Sequence, residues 1–289
     1  MILDILITSI INGSTYALLA IGFSLIFGVA RIVNIAHTAF YMMAAYCIYF
    51  MSHKMGLPVL VGMAAGIVLV PIFGLLVFKI FIDPIREHEA AVLIGTIALA
   101  IALQEAMMII FSGDYLSVPP IIAGYFTLLD VKIFYQHLIT FVAVMGVLGG
   151  LRFLLMNTRL GVAIRATAQD REVANLMGMN ESRVALVTVG ISIALAALTG
   201  AVIAPLTIVD PFMWMHPLIM MMAVVVLGGM GSIKGSFFAA YILGFAESLV
   251  VFLIPMGAFL KGSVALSIMI LVLLVRPEGL FGVAFEEER

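Results

Sequence analysis

Charge is scarce in this sequence. Of its 289 residues only 10% are Asp, Glu, Lys or Arg, against about 25% in soluble globular domains. With 64% hydrophobic residues and a mean hydropathy of +1.27, a water-soluble core has no means of enclosing the apolar surface. That excludes a soluble helical protein and leaves an integral membrane protein. Cysteine is nearly absent, and the single Cys47 excludes an intrachain disulfide. The five histidines are scattered without metal-ligand spacing. A net charge of −2 points to no nucleic acid or other polyanion as a partner. Catalytic motifs are missing as well. GGMGSIKG at 228–235 has glycines and a lysine but not the G-K-[ST] order of a phosphate-cradling loop, so no bound cofactor is expected. HEAAV at 88–92 lacks the second histidine of a zinc protease, so no metal is expected there. SGDY at 112–115 and Gly231-Ser232-Ile233 complete no intramembrane protease motif. No helix carries regularly spaced arginines, which argues against a voltage sensor.

What the chain has is long apolar runs. A membrane span needs roughly 20 apolar residues. Runs at 5–29, 36–52, 57–82, 90–111, 134–156, 184–208, 236–254 and 262–275 qualify or come close. They are continuous, without alternation at period two, so helices are expected rather than barrel strands. Glycines spaced four apart, Gly62/Gly66 and Gly146/Gly150, allow helix backbones to approach closely. The first run lacks a basic leader and is followed by Arg31, the pattern of a retained span rather than a cleaved signal. PLIMMMAVVVLGG at 217–229 is short for a span. A half-helix that enters and turns back inside protein is one reading; a down-and-up pair with 236–254 is another. The expectation is an all-α polytopic membrane protein, a single domain of about eight transmembrane helices with 217–229 as a candidate re-entrant half-helix.

Polar interruptions are few, and they orient the chain. Residues 157–183, NTRLGVAIRATAQDREVANLMGMNESR, form the longest of them. With this loop inside, and 217–229 and 236–254 as a down-and-up pair, 11 of the 14 basic residues fall inside, leaving only Lys54, Lys132 and Lys261 outside. That bias puts the N-terminus outside and the C-terminus in the cytoplasm, and makes 112–133 an external loop. Within the loop, Val162, Ala166, Val173, Leu176 and Met177 share a helical stripe, with Arg165, Arg171 and Glu172 off it. Asp170 and Asn180 suit N-caps and Gly178 suits a C-terminal stop, which predicts two short helices meeting near Gln169-Asp170. Lying on lipid headgroups would account for the arginines but not for the stop at Gly178. Gln104, Glu105 and Glu247 sit toward the outer ends of their spans, as lining of a solute pathway or as partners in interhelical hydrogen bonds. Asn34 and His37 interrupt the join of the first two spans. Gly228, Gly229, Gly231 and Ser232 make a second break, which fits a re-entrant turn better than a flexible loop.

These interruptions also carry a family resemblance. GSTYALLAIGFSLIFGVARIVNIAHTAF at 13–40, GVAIRATAQDREVANLMGMN at 161–180, VVVLGGMGSIKGSFFAAYILGFAES at 224–248 and RPEGLFG at 276–282 resemble, in order, four blocks of the permease subunits of bacterial branched-chain amino-acid ABC transporters. Thr38 and Arg171 depart from residues common there, glycine and proline. The resemblance implies a non-catalytic, multi-pass subunit of the bacterial plasma (inner) membrane that works by alternating access. It implies a second permease subunit, expected to be a different chain, two ATPase subunits that use ATP-Mg, and an external solute-binding protein. Gly161, Arg165, Ala166, Ala168, Asp170, Glu172 and Gly178 become candidates for the ATPase-coupling loop. Ser14 and Tyr16 of the first block join Asn34, His37, Gln104, Glu105, Gly228, Gly229, Gly231, Ser232 and Glu247 as candidates for pathway or gate. A urea or short-amide permease of the same kind, and a self-sufficient channel or secondary transporter, are the competing readings.

Overall fold

Backbone in hydrocarbon has no partner but itself, so apolar runs fold as helices. The computed structural model describes residues 2–128 and 131–281. Helix α1 spans Ile2–Ala30, and α2 spans His37–Tyr49, continuing as a π-helical turn to Lys54. Helix α3 spans Val59–Val77, with a π-helical turn to Ile82, and α4 spans Glu89–Phe111. A hairpin of β1 (Tyr125–Leu128) and β2 (Val131–Phe134) leads into α5 (Tyr135–Asn157). Two short helices follow, α6 (Arg159–Gln169) and α7 (Arg171–Leu176). The chain then forms α8 (Glu181–Ile203), α9 (Met215–Gly228), α10 (Ile233–Leu253) and α11 (Lys261–Val275). Among the described residues seven helices are long and apolar enough to cross a membrane; α2 and α9 are not among them.

Directions follow from which residues meet. Along α1, Ser24 bonds Ser236 at 2.6 Å and Ser14 bonds Tyr241 at 2.9 Å, so α1 and α10 are antiparallel. Gly28 faces Gly231 at one end of that pair, and the α6–α7 segment lies at this same end, since Arg171 reaches the Val29 carbonyl. We call it the loop end, and the opposite one the far end. Helix α9 starts beside Glu247 near the far end of α10 and finishes with Gly228 against Gly235 at the loop end. It therefore does not turn back to the side it came from, and of the two readings of 217–229 the down-and-up pair is the one the structure holds. Its 14 residues are enough because the chain at 207–214 has already descended in non-helical form. Apart from His216 in its first turn, helix α9 is apolar, and most of it is buried by protein.

The two halves of the chain repeat. Long α1, non-helical 31–36, short α2, then α3 and α4 correspond to long α8, non-helical 207–214, short α9, then α10 and α11. Helix α1 packs on α9 and α10 as α8 packs on α2 and α3. Because α1 and α8 are antiparallel, with Val29 and Val184 in one cluster at the loop end, the second half is the first turned end for end. Two breaks result, one opening α2 from the loop end and one opening α9 from the far end. Each is enclosed. Ile32, Asn34 and Ala36 are buried, and the Ile35 amide donates to Thr96 Oγ1 at 3.3 Å. At the far end Leu116 and Val209 exchange both backbone bonds, at 3.0 and 2.8 Å.

Close glycine contact holds the α9–α10 turn. A Cβ on Gly235 would run into the Gly228 carbonyl, whereas one on Gly146 of α5 meets nothing within 4 Å. Gly235→Val is expected to lower stability by about 1–3 kcal/mol through overpacking, and Gly146→Val to leave it within about 0.5 kcal/mol. Melting temperatures of both variants in detergent check this.

Candidate functional site

The polar residues collect at the two ends. At the loop end, Thr158 Oγ1 accepts from the Gly161 amide at 3.0 Å and starts α6. Gly161 lies so close to the Leu154 and Leu155 carbonyls that only hydrogen fits, which lets α6 fold back on α5. Ile164 and Thr167, one and two turns on, are buried with it. Asp170 ends α6 and caps α7, its Oδ1 accepting from the Val173 amide at 3.0 Å. Gly178 has φ +84°. Its amide bonds the Asn175 carbonyl at 2.9 Å while the Met179 amide bonds that of Ala174 at 3.1 Å, the paired bonds of a Schellman stop. Asn180 Oδ1 then caps α8 through the Arg183 amide at 3.0 Å.

Arg165, Ala168, Asp170, Glu172 and Gly178 are exposed, and Ala166 is half-buried. The stripe expected from the sequence is not the packed face. Val162 and Val173 are exposed, and Leu176 and Met177 are 86% and 76% exposed. The buried face is instead Gly161-Ile164-Thr167, whose two small or polar members gave no apolar signal.

Arg171 ties this element to the bundle. Its Nη2 donates to the Val29 carbonyl at 2.6 Å, near the end of α1, and its Nη1 lies 3.3 Å from Glu181 at the start of α8. Burial draws its pKa below the ordinary guanidinium value; Glu181 pulls it back up, and nearby Arg31 and Arg86 lower it further. It stays charged at neutral pH. Arg31 itself leaves α1 with φ +49° and lines a loop-end cavity of about 750 Å³ with Gly28, Arg86, Ala168, Gly231 and Ser232.

The pathway candidates do not converge on one place. Gly228, Gly229, Gly231 and Ser232 form the α9–α10 turn, with Gly229 at φ +96°, Gly231 at +82° and Ser232 capping α10 through the Gly235 amide. The Leu280 and Phe281 amides bond the Leu227 and Gly228 carbonyls at 2.8 and 3.1 Å, so the RPEGLFG block clamps that turn; its Gly282 lies outside the described residues. His37 is enclosed at the start of α2, its Nδ1 3.3 Å from Ser192 Oγ and its ring against Gly22. Asn34 is buried in the break. Gln104 accepts from the indole of Trp214, the only tryptophan, at 2.9 Å and so fixes the approach to α9. Glu105 is exposed, bonded to Gln104 at 3.2 Å.

Across the α1–α10 seam, Tyr16 and Glu247 meet. Tyr16 Oη donates to Glu247 Oε2 at 2.6 Å, and Ser14 bonds the neighbouring Tyr241. A helical side chain leans toward its own N-terminus, which lets Tyr16 reach a carboxylate nearer the far end than its own Cα. Sequence reasoning missed two further members. Lys261 Nζ lies 3.4 Å and His216 Nε2 3.9 Å from Glu247 Oε1. The four converge from α1, α9, α10 and α11, so no local spacing links them.

With this geometry established, comparison with known proteins decides the family. The family model described as "Branched-chain amino acid transport system / permease component" matches residues 5–274. The chain belongs to that family. This permease is 32% identical to the high-affinity branched-chain amino acid transport system permease protein BraD of Pseudomonas aeruginosa, over 96% of the chain and 94% of that protein. It is 30% identical to LivH of Escherichia coli K12 (93% and 92% covered). It is 28% identical to a probable LivH of Methanocaldococcus jannaschii (96% and 92%). PsaBC from Streptococcus pneumoniae, solved in complex with Fab, shares the fold at a TM-score of 0.51 and 16% identity, covering 95% of this chain and 92% of that one.

Arg171→Gln removes the charge from the bond to Val29. Backbone amides over 171–178 are expected to exchange roughly five- to tenfold faster as α7 loosens, while those of α8 hold their protection. Hydrogen–deuterium exchange of the detergent-solubilised chain reads both.

Proposed function

We propose that this permease forms, with a second and different permease subunit, the membrane pathway of an importer for branched-chain amino acids. Two separate ATPase subunits use ATP-Mg to drive alternating access, and an external binding protein delivers the solute. The placement of basic residues supports a cytoplasmic loop end in a bacterial plasma membrane. Arg31, Lys79, Arg86, Arg159, Arg165, Arg171 and Arg183 all lie in or beside the segments at that end. The start of α1 then faces outward, opposite the end of α11.

The observation that carries the coupling reading is α6–α7 itself. It is a capped, shaped element whose large apolar side chains, Leu176 and Met177, stay uncovered by this chain. Apolar residues on a short helix suit a groove in a partner, and Arg171 joins the same element to α1 and α8. Exposed Ala168 lets a partner surface approach closely. The substrate assignment follows the names of the relatives, all of them branched-chain amino-acid permeases.

Gly178→Val tests the coupling. A β-branched residue at φ +84° costs about 1–2 kcal/mol and removes the sharp stop of α7. In reconstituted vesicles the stimulation of ATP hydrolysis by loaded binding protein is expected to fall, and leucine uptake with it, while the subunits still copurify. Stimulation at the wild-type level counts against the coupling role.

A further inference from the structure

A buried carboxylate with an unused oxygen needs an explanation. Glu247 is 1% exposed. Its Oε2 is fixed by the Tyr16 hydroxyl at 2.6 Å, but its Oε1 has no hydrogen-bond partner. Lys261 and His216 stand at 3.4 and 3.9 Å from that oxygen, beyond the roughly 2.7–2.9 Å of a well-made charge-assisted bond. His216 Nε2 likewise has no hydrogen bond. All four side chains border one far-end cavity of about 320 Å³, at the small end of the roughly 300–1,000 Å³ usual for small-molecule sites. Its remaining wall mixes aliphatic Ile11, Ile203, Leu206 and Met213 with polar groups that include Asn12 and His137.

These groups have the layout of a receptor for a zwitterion with an apolar tail. An ammonium group entering the cavity can donate to Glu247 Oε1. A carboxylate beside it can accept from Lys261 Nζ and a His216 N–H. The aliphatic part of the wall is left for the side chain. Lys261 already lies 3.4 Å from Glu247 Oε1, so a ligand's ammonium must displace it, and only the difference between the two interactions holds the ligand. Weak holding is what a transport pathway requires, since the solute has to leave again.

We propose that the far-end cavity between α1, the end of α8, the 206–213 segment and the start of α9, reached by Glu247 of α10 and Lys261 of α11, is a low-affinity acceptor site for a free aliphatic α-amino acid, with Glu247 taking the α-ammonium and Lys261 the α-carboxylate. It rests on the function proposed above and adds the chemical basis on which this chain itself selects the solute. The pairing has a consequence that packing alone does not share: affinity depends on both charges of the ligand, each through a different residue.

The test uses the full chain in lipid nanodiscs, without binding protein, and equilibrium binding of radiolabelled leucine. Wild-type chain is expected to bind leucine saturably. Leucinamide, which lacks the carboxylate, and N-acetyl-leucine, which lacks the ammonium, are expected to compete roughly tenfold or more worse, as fits loss of one charged hydrogen bond. Lys261→Met is expected to bring leucine and leucinamide to within about twofold of each other, and Glu247→Gln to weaken leucine roughly tenfold or more. Should Glu247→Gln fail to fold, the ligand ranking of Lys261→Met decides alone, because Lys261 is at the cavity mouth with its side chain 35% exposed. The proposal is overturned if wild-type chain binds no leucine, if it binds all three compounds alike, or if Lys261→Met keeps the wild-type ranking. Uptake of leucine by the assembled transporter with its binding protein separates the two readings. Intact uptake with a failed ranking sinks the acceptor site alone, and no branched-chain uptake at all sinks the function on which it rests.

Discussion

Backbone without internal hydrogen bonds cannot face hydrocarbon, and this chain carries two non-helical stretches beside its long helices, 31–36 and 207–214, with few such bonds. Most of the architecture can be read as the means of enclosing them. The first rises beside the end of α1 until His37 is level with Gly22, about two helical turns in. It is covered by α4 through Thr96 and by α8 through the contact of Ser192 with His37. The second is covered by the segment after α4, through the Leu116–Val209 pair, and by Trp214 held on Gln104. Short α2 and α9 follow from these breaks, and so does their burial: a helix that starts below the surface needs neighbours on every side. The end-for-end repeat of the two halves supplies those neighbours twice, α8 beside α2 and α1 beside α9.

Much of this was legible in the sequence because hydrocarbon imposes a simple code. Apolar runs of sufficient length became helices with bounds within a few residues of those expected, and the interruptions became the breaks and turns. The caps at Asp170 and Asn180 and the stop at Gly178 were legible for the same reason: cap chemistry is local, a matter of one side chain and the next three amides. What escaped was set by tertiary contact. The packed face of α6 is Gly161-Ile164-Thr167, and a glycine selected for its lack of Cβ looks the same in sequence as one selected for a turn. The repeat escaped because it is a repeat of helix lengths and directions and leaves no shared residue pattern. His216 and Lys261 escaped because lone polar residues at span ends are ordinary, and only the fold brings them to Glu247.

The glycines and serines of α1 and α10 make those two helices one body. Gly13 and Gly244 meet backbone to backbone, Ser24 and Ser236 bond across the seam, and Gly28 faces Gly231. Such contacts depend on backbone separation and do not survive sliding by a turn, since each small residue would then oppose a large one. By contrast, α11 has the smallest buried share of any of the spanning helices, and Lys261 at its start is joined to Glu247 by an ion pair rather than by interlocked backbone. Within the far-end cavity, then, α11 contributes Lys261 alone, while α1 supplies most of one wall.

That division connects the two ends of the molecule. On the proposed coupling, a displacement of α6–α7 would be applied through Arg171 to the Val29 carbonyl, near the end of α1. Helix α1 is unbroken from Ile2 to Ala30 and carries Tyr16 about 20 Å farther along. Because α10 is locked to α1, Glu247 travels with Tyr16 and the bond between them is kept. The contacts left to change would be those between Glu247 and groups outside the pair, Lys261 on α11 and His216 on α9. Opening them exposes a carboxylate whose free oxygen then needs a cation; closing them returns Lys261 to that place and leaves an ammonium group nowhere to stay. On the proposed coupling, one unbroken helix would link the ion pair at the far end to the loop, with no relay of side chains between them.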